Sequence, residues 1–238
     1  RLLEALVKTG KPVVLLLFSG RPMTLEWEDA NMAAILDVWY GGSEAADAMV
    51  DVLYGKVNPS GKLTMTFPRN VGQIPIYYNM KNGGRPARSD SYKRFSSCYI
   101  DSPNSPLYPF GYGLTYSDFS LSDMMVERDG EQFVVTCRVT NCGERAAKQV
   151  VQLYSTELAP EVDRPAIELR GYKKTPLLQP GESCTVSIAI SNDDLATYSE
   201  KESAWKVRKG EYRLALGFDS ATLPLSKVVT IKKEKVTP

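Results

Sequence analysis

Hydrophobic and polar residues follow three different patterns along this 238-residue chain. The first covers residues 1–69. A helical stretch over 1–9 ends at Gly10, and Pro12 leads into an unbroken apolar run over 13–18, closed by Ser19-Gly20. A short solid run of this kind predicts a strand buried on both faces of a parallel sheet. Residues 33–39 read as a second such strand. Ser43 is expected to cap a helix reaching about Tyr54, with Glu44 and Asp47 in the first turn, where the helix dipole favours carboxylates. Gly55 stops that helix, Asn58-Pro59-Ser60-Gly61 signals a turn, and 62–67 alternates as one more strand before Pro68.

The second pattern, 70–116, is irregular and rich in Gly, Pro, Asn and Ser. It nonetheless carries nine aromatic side chains between Tyr77 and Tyr116. Long loops in compact proteins are usually functional or disordered, and aromatic side chains that need surfaces to cover argue for order. From residue 117 the period becomes two. Seven runs, at 119–127, 132–140, 149–156, 167–173, 183–190, 211–218 and 226–231, are separated by turn signals such as Asp129-Gly130, Pro180-Gly181 and Lys209-Gly210. Seven short alternating strands predict an antiparallel sandwich of immunoglobulin or fibronectin type III kind. The tail Lys232-Lys233-Glu234-Lys235 reads as a solvated end.

The expected fold is thus an α/β remnant over 1–69, an aromatic-rich linker over 70–116 and a β-sandwich over 117–238. The remnant is incomplete as a folding unit, because two parallel strands leave faces and edges uncovered. Polypeptide preceding Arg1 is the simplest source of the missing strands.

Composition removes whole classes of chemistry. There is no histidine, so a Ser-His-Asp triad, a Cys-His pair and a His-ligated zinc are excluded. With 29 basic against 28 acidic residues, no basic surplus points to nucleic acid or to an anionic membrane surface. The longest apolar run is far shorter than the roughly 18 residues of a membrane span. Cys98, Cys137, Cys142 and Cys184 form no Cys-x-x-Cys pair. Cys137 and Cys184 fall on the apolar parity of their strands and read as small buried hydrophobes. Ser19-Gly20 lacks the frame of a nucleophile elbow, and no phosphate-binding motif occurs. Glu26, Glu28 and Asp29 cluster after the first strand, and Glu44 and Asp47 open a helix. Nothing in their spacing sets two carboxyl groups across a sugar, so they read as helix-start and surface charges.

Longer motifs carry a resemblance. The runs Gly10-Lys11-Pro12-Val13-Val14-Leu15, Trp39-Tyr40-Gly41-Gly42-Ser43-Glu44, Asn58-Pro59-Ser60-Gly61-Lys62-Leu63 and Gly72-Gln73-Ile74-Pro75-Ile76-Tyr77-Tyr78 come in that order. They are followed by Gly84-Arg85-Pro86, Leu107-Tyr108-Pro109-Phe110-Gly111-Tyr112-Gly113, Arg164-Pro165 and Glu168-Leu169-Arg170-Gly171-Tyr172. Together these resemble the C-terminal half of glycoside hydrolase family 3, of the periplasmic β-glucosidase type. The resemblance implies an N-terminal barrel, a multi-stranded α/β sandwich domain of which 1–69 is the end, and a fibronectin type III-like domain. It implies retaining hydrolysis of terminal β-D-glucosyl residues by two carboxyl groups, with no metal or organic cofactor. Both carboxyl groups, by the order of family motifs, precede Arg1, so no catalytic residue is expected in this span. The partners implied are a β-glucoside or oligosaccharide, the barrel and the rest of the α/β domain, in the periplasm or outside the cell. On the same footing, 77–99 is expected near the mouth of the active site, with Asn82, Arg85 and Tyr92 as sugar contacts. The other reading of those aromatics is as cement between the two domains. For the chain as a whole, a non-catalytic carbohydrate-binding or scaffolding module is the alternative.

Overall fold

The structure, a computed structural model, describes residues 1–81, 83–87, 89–160 and 164–237. The α/β part begins with helix α1 (Leu2–Val7), strand β1 (Val14–Leu17), helix α2 (Glu26–Asn31), strand β2 (Ala34–Asp37) and helix α3 (Ala45–Leu53). Strands β1 and β2 pair in parallel, Val14 opposite Ala34 through Leu17 opposite Asp37, as the two solid apolar runs predict. Neither is buried on both faces, however: each has one exposed residue followed by three half-buried ones. No residue of the three helices is buried, and Leu2, Phe18, Tyr40 and Tyr54 are all more than half exposed.

Three local expectations are corrected. Glu44, not Ser43, is the N-cap of α3, and no side chain caps it; the chain is still turning at Gly42, whose carbonyl accepts the N–H of Ala45. Helix α2 was not anticipated, because Glu26-Trp27-Glu28-Asp29 shows no apolar period. Its three carboxylates do sit in the first turn, where the dipole favours them. Residues 62–67 form no regular strand. Leu63 exchanges hydrogen bonds with Gly111 and Tyr112, and Phe67 with Leu107 and Tyr108, but Thr64-Met65 bends away between them, leaving one isolated bridge.

The sandwich holds β3 (Phe119–Asp129), β4 (Gln132–Asn141), β5 (Val150–Glu157), β6 (Glu168–Lys174), β7 (Ser183–Ser191), β8 (Thr197–Ser199), β9 (Ala204–Val207), β10 (Gly210–Gly217), β11 (Leu225–Ile231) and β12 (Lys235–Thr237). One sheet runs β3-β4-β7 and faces a second, β11-β10-β5-β6, with every pairing antiparallel. All seven runs of alternating residues become strands. The reason is visible in β4, where Phe133, Val135, Cys137 and Val139 point into the core between Thr136 and Arg138 on the other face. Burial lifts the Cys137 thiol to about 11, so it is an inert core residue. Cys142, in contrast, is exposed, and all four cysteines are free.

A small third sheet, β12-β9-β8, closes one end of the sandwich. It corrects the reading of the tail as a solvated end at Lys235 alone, since Lys232, Lys233 and Glu234 are exposed. Lys235 begins β12 and its Nζ lies 2.8 Å from Glu131 and 3.1 Å from Asp193, partners far away in sequence.

Strand β5 departs from simple alternation. Val151 and Leu153 face the core, yet Gln152 and Tyr154 on the opposite face are equally buried. The linker covers them. Tyr78 stacks on Phe110 with ring centroids 4.3 Å apart and meets Tyr154 edge-on at 6.0 Å. Tyr108 and Tyr112 stack at 5.3 Å, and Phe67 packs between Trp39 and Tyr108. Of these ring contacts, the one between Tyr78 and Tyr154 crosses to the sandwich, while the others tie the linker to itself and to the α/β part.

Lys62 belongs to the same junction. Its Nζ donates to the Gly113 carbonyl at 2.6 Å, and burial lowers its pKa from 10.5 to about 8 despite the nearby Asp219. The unfolded chain therefore holds a proton between pH 8 and 10 that the folded chain has lost. Stability rises with pH in that window. We expect the melting temperature to climb from pH 8 to pH 9.5 and the climb to vanish in Lys62→Met. An unchanged slope in the variant overturns the assignment. Above pH 10 the buried phenols of Tyr108 and Tyr154, both raised by burial, act in the opposite direction.

Candidate functional site

Two features of the α/β part and its linker offer surfaces for a ligand. The first is the loop spanning the eighties and nineties, whose base is held by polar contacts rather than by regular structure. Gln73, fully buried, accepts from the Arg69 N–H through Oε1 and donates from Nε2 to the carbonyls of Pro103 and Ser105. Asn104 accepts the Tyr99 N–H and donates to the Ser89 carbonyl. The Asp90 carboxylate accepts both the hydroxyl and the N–H of Ser105, which hold it below the usual carboxylate range. The Arg85 carbonyl accepts the Ser97 N–H at 2.6 Å, drawing the two limbs of the loop together.

This base leaves an exposed crest. Arg85 is exposed, Tyr92 and Phe95 are more than half exposed, and the Arg94 guanidinium lies 5.0 Å over the Phe95 ring. Asn82, the third anticipated sugar contact, lies outside the described residues. The nine linker aromatics therefore divide. Tyr78 and Phe110 meet the sandwich, Tyr108 and Tyr112 pack within the linker and against Phe67, and Tyr99 and Tyr116 anchor through hydroxyls given to the carbonyls of Gln73 and Val52. Tyr77, Tyr92 and Phe95 remain open to solvent.

The second feature is the carboxyl end of the β1-β2 sheet, the edge at which open α/β sheets bind ligands. Asp37 ends β2. Its Oδ1 accepts the Trp39 N–H at 3.3 Å, its Oδ2 is buried without a partner, and burial raises its pKa. Trp39 follows with a left-handed backbone, φ 53°, a strained geometry for a bulky residue. Tyr40 packs so closely on Gly20 that a Cβ there would lie 2.5 Å from its ring. The sequence carries the signal for Asp37 as a carboxylate closing an apolar run, which periodicity alone passes over. Two of the other candidate carboxylates are engaged in the fold. Asp29 accepts the Tyr108 hydroxyl at 2.6 Å, and Glu26 lies 3.6 Å from Arg69.

An incomplete α/β layer joined through aromatics to a fibronectin-like sandwich defines a recognisable kind of protein, and comparison with known proteins gives its family. Residues 1–116 match the family model for the glycosyl hydrolase family 3 C-terminal domain, and residues 149–220 that for the fibronectin type III-like domain. The chain belongs to glycoside hydrolase family 3. It is 42% identical to the periplasmic beta-glucosidase of Salmonella typhimurium over 92% of its own length and 29% of that protein. It is 37% identical to a beta-xylosidase of Formosa agariphila, over 97% of its length and 31% of the relative. The crystal structure of a beta-glucosidase from Listeria innocua in complex with gluconolactone superposes with a TM-score of 0.90 at 35% identity. That match covers 98% of this chain and 32% of the other. The chain thus spans about 30% of the length of the relatives it matches.

Proposed function

We propose that this chain is the C-terminal part of a retaining β-glucosidase that removes terminal β-D-glucosyl residues in the periplasm. In this reading the two reacting carboxyl groups are supplied by polypeptide outside the 238 residues, and no metal or organic cofactor takes part. The observation that carries it is the match to a periplasmic beta-glucosidase along almost all of this chain but only 29% of that protein. The solvent-facing apolar residues of α1, α3 and the β1-β2 layer support it, since such faces call for further strands and helices to cover them. So does the engagement of Glu26 and Asp29 in contacts that hold the fold.

Arg85 and Tyr92 are the substrate contacts of this span: an exposed ring suits the apolar face of a pyranose, and a guanidinium suits its hydroxyls. The test has two arms. The chain alone is expected to release no aglycone from 4-nitrophenyl β-D-glucoside, whereas the complete enzyme turns it over. Measurable turnover by the chain alone overturns the proposal. In the complete enzyme, Arg85→Ala and Tyr92→Ala are expected to raise KM several-fold with the melting temperature unchanged, because both side chains are exposed. A lowered melting temperature with unaltered kinetics removes them from the substrate site. Saturable binding of glucose by the chain without any turnover from the complete protein favours a carbohydrate-binding module instead.

A further inference from the structure

Tyr92, the ring proposed to face the sugar, stands on a stretch with no regular structure of its own. Among the described residues, no backbone-to-backbone hydrogen bond joins 89–95 to any other part of the molecule. The nearest is local, from the Ser96 N–H to the Lys93 carbonyl. An exposed ring on an untied stretch samples many positions, and a substrate that needs it in one of them must supply the ordering on binding.

Two side-chain ties do that ordering in advance. The Asp90 carboxylate accepts the Ser105 N–H at 2.6 Å through Oδ1 and the Ser105 hydroxyl at 2.7 Å through Oδ2. One position earlier, the Ser89 carbonyl accepts the Asn104 carboxamide at 2.7 Å. Both ties end on the same segment, and that segment is fixed. The Ser105 carbonyl accepts from Arg69 Nε at 3.1 Å and from Gln73 Nε2 at 3.2 Å, and Gln73 is 1% exposed. The Leu107 N–H then closes onto the Phe67 carbonyl at 2.9 Å. Asp90 thus hooks the rising limb of the loop onto its floor two residues before Tyr92. Its two bonds are charge-assisted and use one oxygen each, so they set the orientation of the carboxylate as well as its distance. Arg85 is held by a different tie, its carbonyl accepting the Ser97 N–H at 2.6 Å.

We infer that Asp90 is a positioning residue for the substrate site: by clamping Ser105 it sets the Tyr92 ring where a pyranose stacks on it. The inference rests on the reading of Tyr92 as a sugar contact and adds the group that makes this contact ready before the sugar arrives. Asp90 itself touches no sugar. It acts through Tyr92, so its effect exists only while that ring is present.

The test is steady-state kinetics of the complete enzyme on 4-nitrophenyl β-D-glucoside. Asp90→Ala deletes both acceptors and is expected to raise KM several-fold, with kcat changed by less than about twofold. The melting temperature is expected to stay put, because Asp90 is exposed. Asp90→Asn keeps one acceptor and is expected to fall between Asp90→Ala and the parent. A double-mutant cycle then separates positioning from a merely structural role. In the Tyr92→Ala background, Asp90→Ala is expected to add no further rise in KM, whereas with Arg85→Ala the two rises multiply. A structural Asp90 would instead lower the melting temperature and act alike in both backgrounds. Unchanged KM in Asp90→Ala, or a rise that persists in Tyr92→Ala, overturns the inference and leaves the sugar contact standing. Unchanged KM in Tyr92→Ala itself overturns the underlying reading and the inference with it.

Discussion

Arg164→Met is expected to cost the sandwich about 3–5 kcal/mol, the range for removing one partner of a buried ion pair. Arg164 sits on the connection between β5 and β6, and its side chain and that of Glu157 are each only 4% exposed. One guanidinium nitrogen reaches Glu157 at 2.7 Å and the Leu195 carbonyl at 3.3 Å, and the other reaches Glu168 at 2.8 Å. Arg170 completes the cluster, 2.6 Å from Glu168, with its Nε on the Ser155 hydroxyl. Two arginines and two glutamates balance in charge, so deleting one arginine strands a buried carboxylate. Most of the loss is that stranded charge, not a missing attraction. Arg164→Met combined with Glu157→Gln is therefore expected to recover a large part of it, by urea unfolding followed through the sandwich. Arg164→Lys is not expected to rescue, because a lysine cannot span two carboxylates in a planar fork. A loss below about 1 kcal/mol, the size of a surface pair, places the cluster among the ornamental ion pairs and overturns this account.

The same cluster reaches the candidate substrate loop. The segment it fixes also bridges Pro165 to Lys81, gives the Ala166 N–H to the Met80 carbonyl and gives the Leu169 N–H to the Tyr78 hydroxyl. Beyond Lys81 the chain enters the loop that carries Arg85 and Tyr92. Loosening residues 164–169 should therefore increase hydrogen exchange at Met80 and Ser97 in parallel with the loss of stability.

How much of this was legible in the sequence depended on how local its cause was. The seven long strands announce themselves because one face of each must enter a shared core, which imposes period two on Phe133-Val134-Val135-Thr136-Cys137 and its counterparts. Strands β8, β9 and β12 are three or four residues long, and their placement depends on partners such as Glu131 and Asp193 far from Lys235 in sequence. No local pattern records that. On β5 the alternation was legible but its meaning was not: Gln152 and Tyr154 look like solvent-facing positions, and only the arrival of the linker makes them an interface. The candidate site was the least legible part. Arg85 and Tyr92 came from family resemblance, since an exposed side chain on an irregular loop leaves no periodic trace. Asp37 was readable only as the odd carboxylate at the end of an apolar run.

The interface on β5 leads to the other large effect. Gly111 has φ +81°, a left-handed backbone, and its missing side chain is what lets the linker lie against Gln152. A Cβ there would fall 2.1 Å from Gln152 Oε1 and 2.7 Å from its Nε2. That carboxamide holds the junction. Its Nε2 donates to the carbonyls of Gly111 and Phe218, and its Oε1 accepts the hydroxyl of Tyr154, which is itself 1% exposed. Gly111→Ala must move Gln152, and with it go partners for buried groups on both sides of the interface. Adding left-handed strain of about 1–2 kcal/mol to one or more orphaned groups at about 1–3 kcal/mol each gives an expected loss above about 3 kcal/mol. Gly181 supplies the control. It has φ +78° in the same backbone region, but a Cβ there meets nothing within 4 Å, so Gly181→Ala carries the backbone strain alone. The difference between the two variants, read as melting temperature by calorimetry, isolates the packing of the linker against β5. We expect Gly111→Ala to fall well below Gly181→Ala and to separate the melting of Phe67 and its neighbours from that of the sandwich. Equal losses in the two variants would falsify the view that this glycine is where the α/β part is fastened to the sandwich.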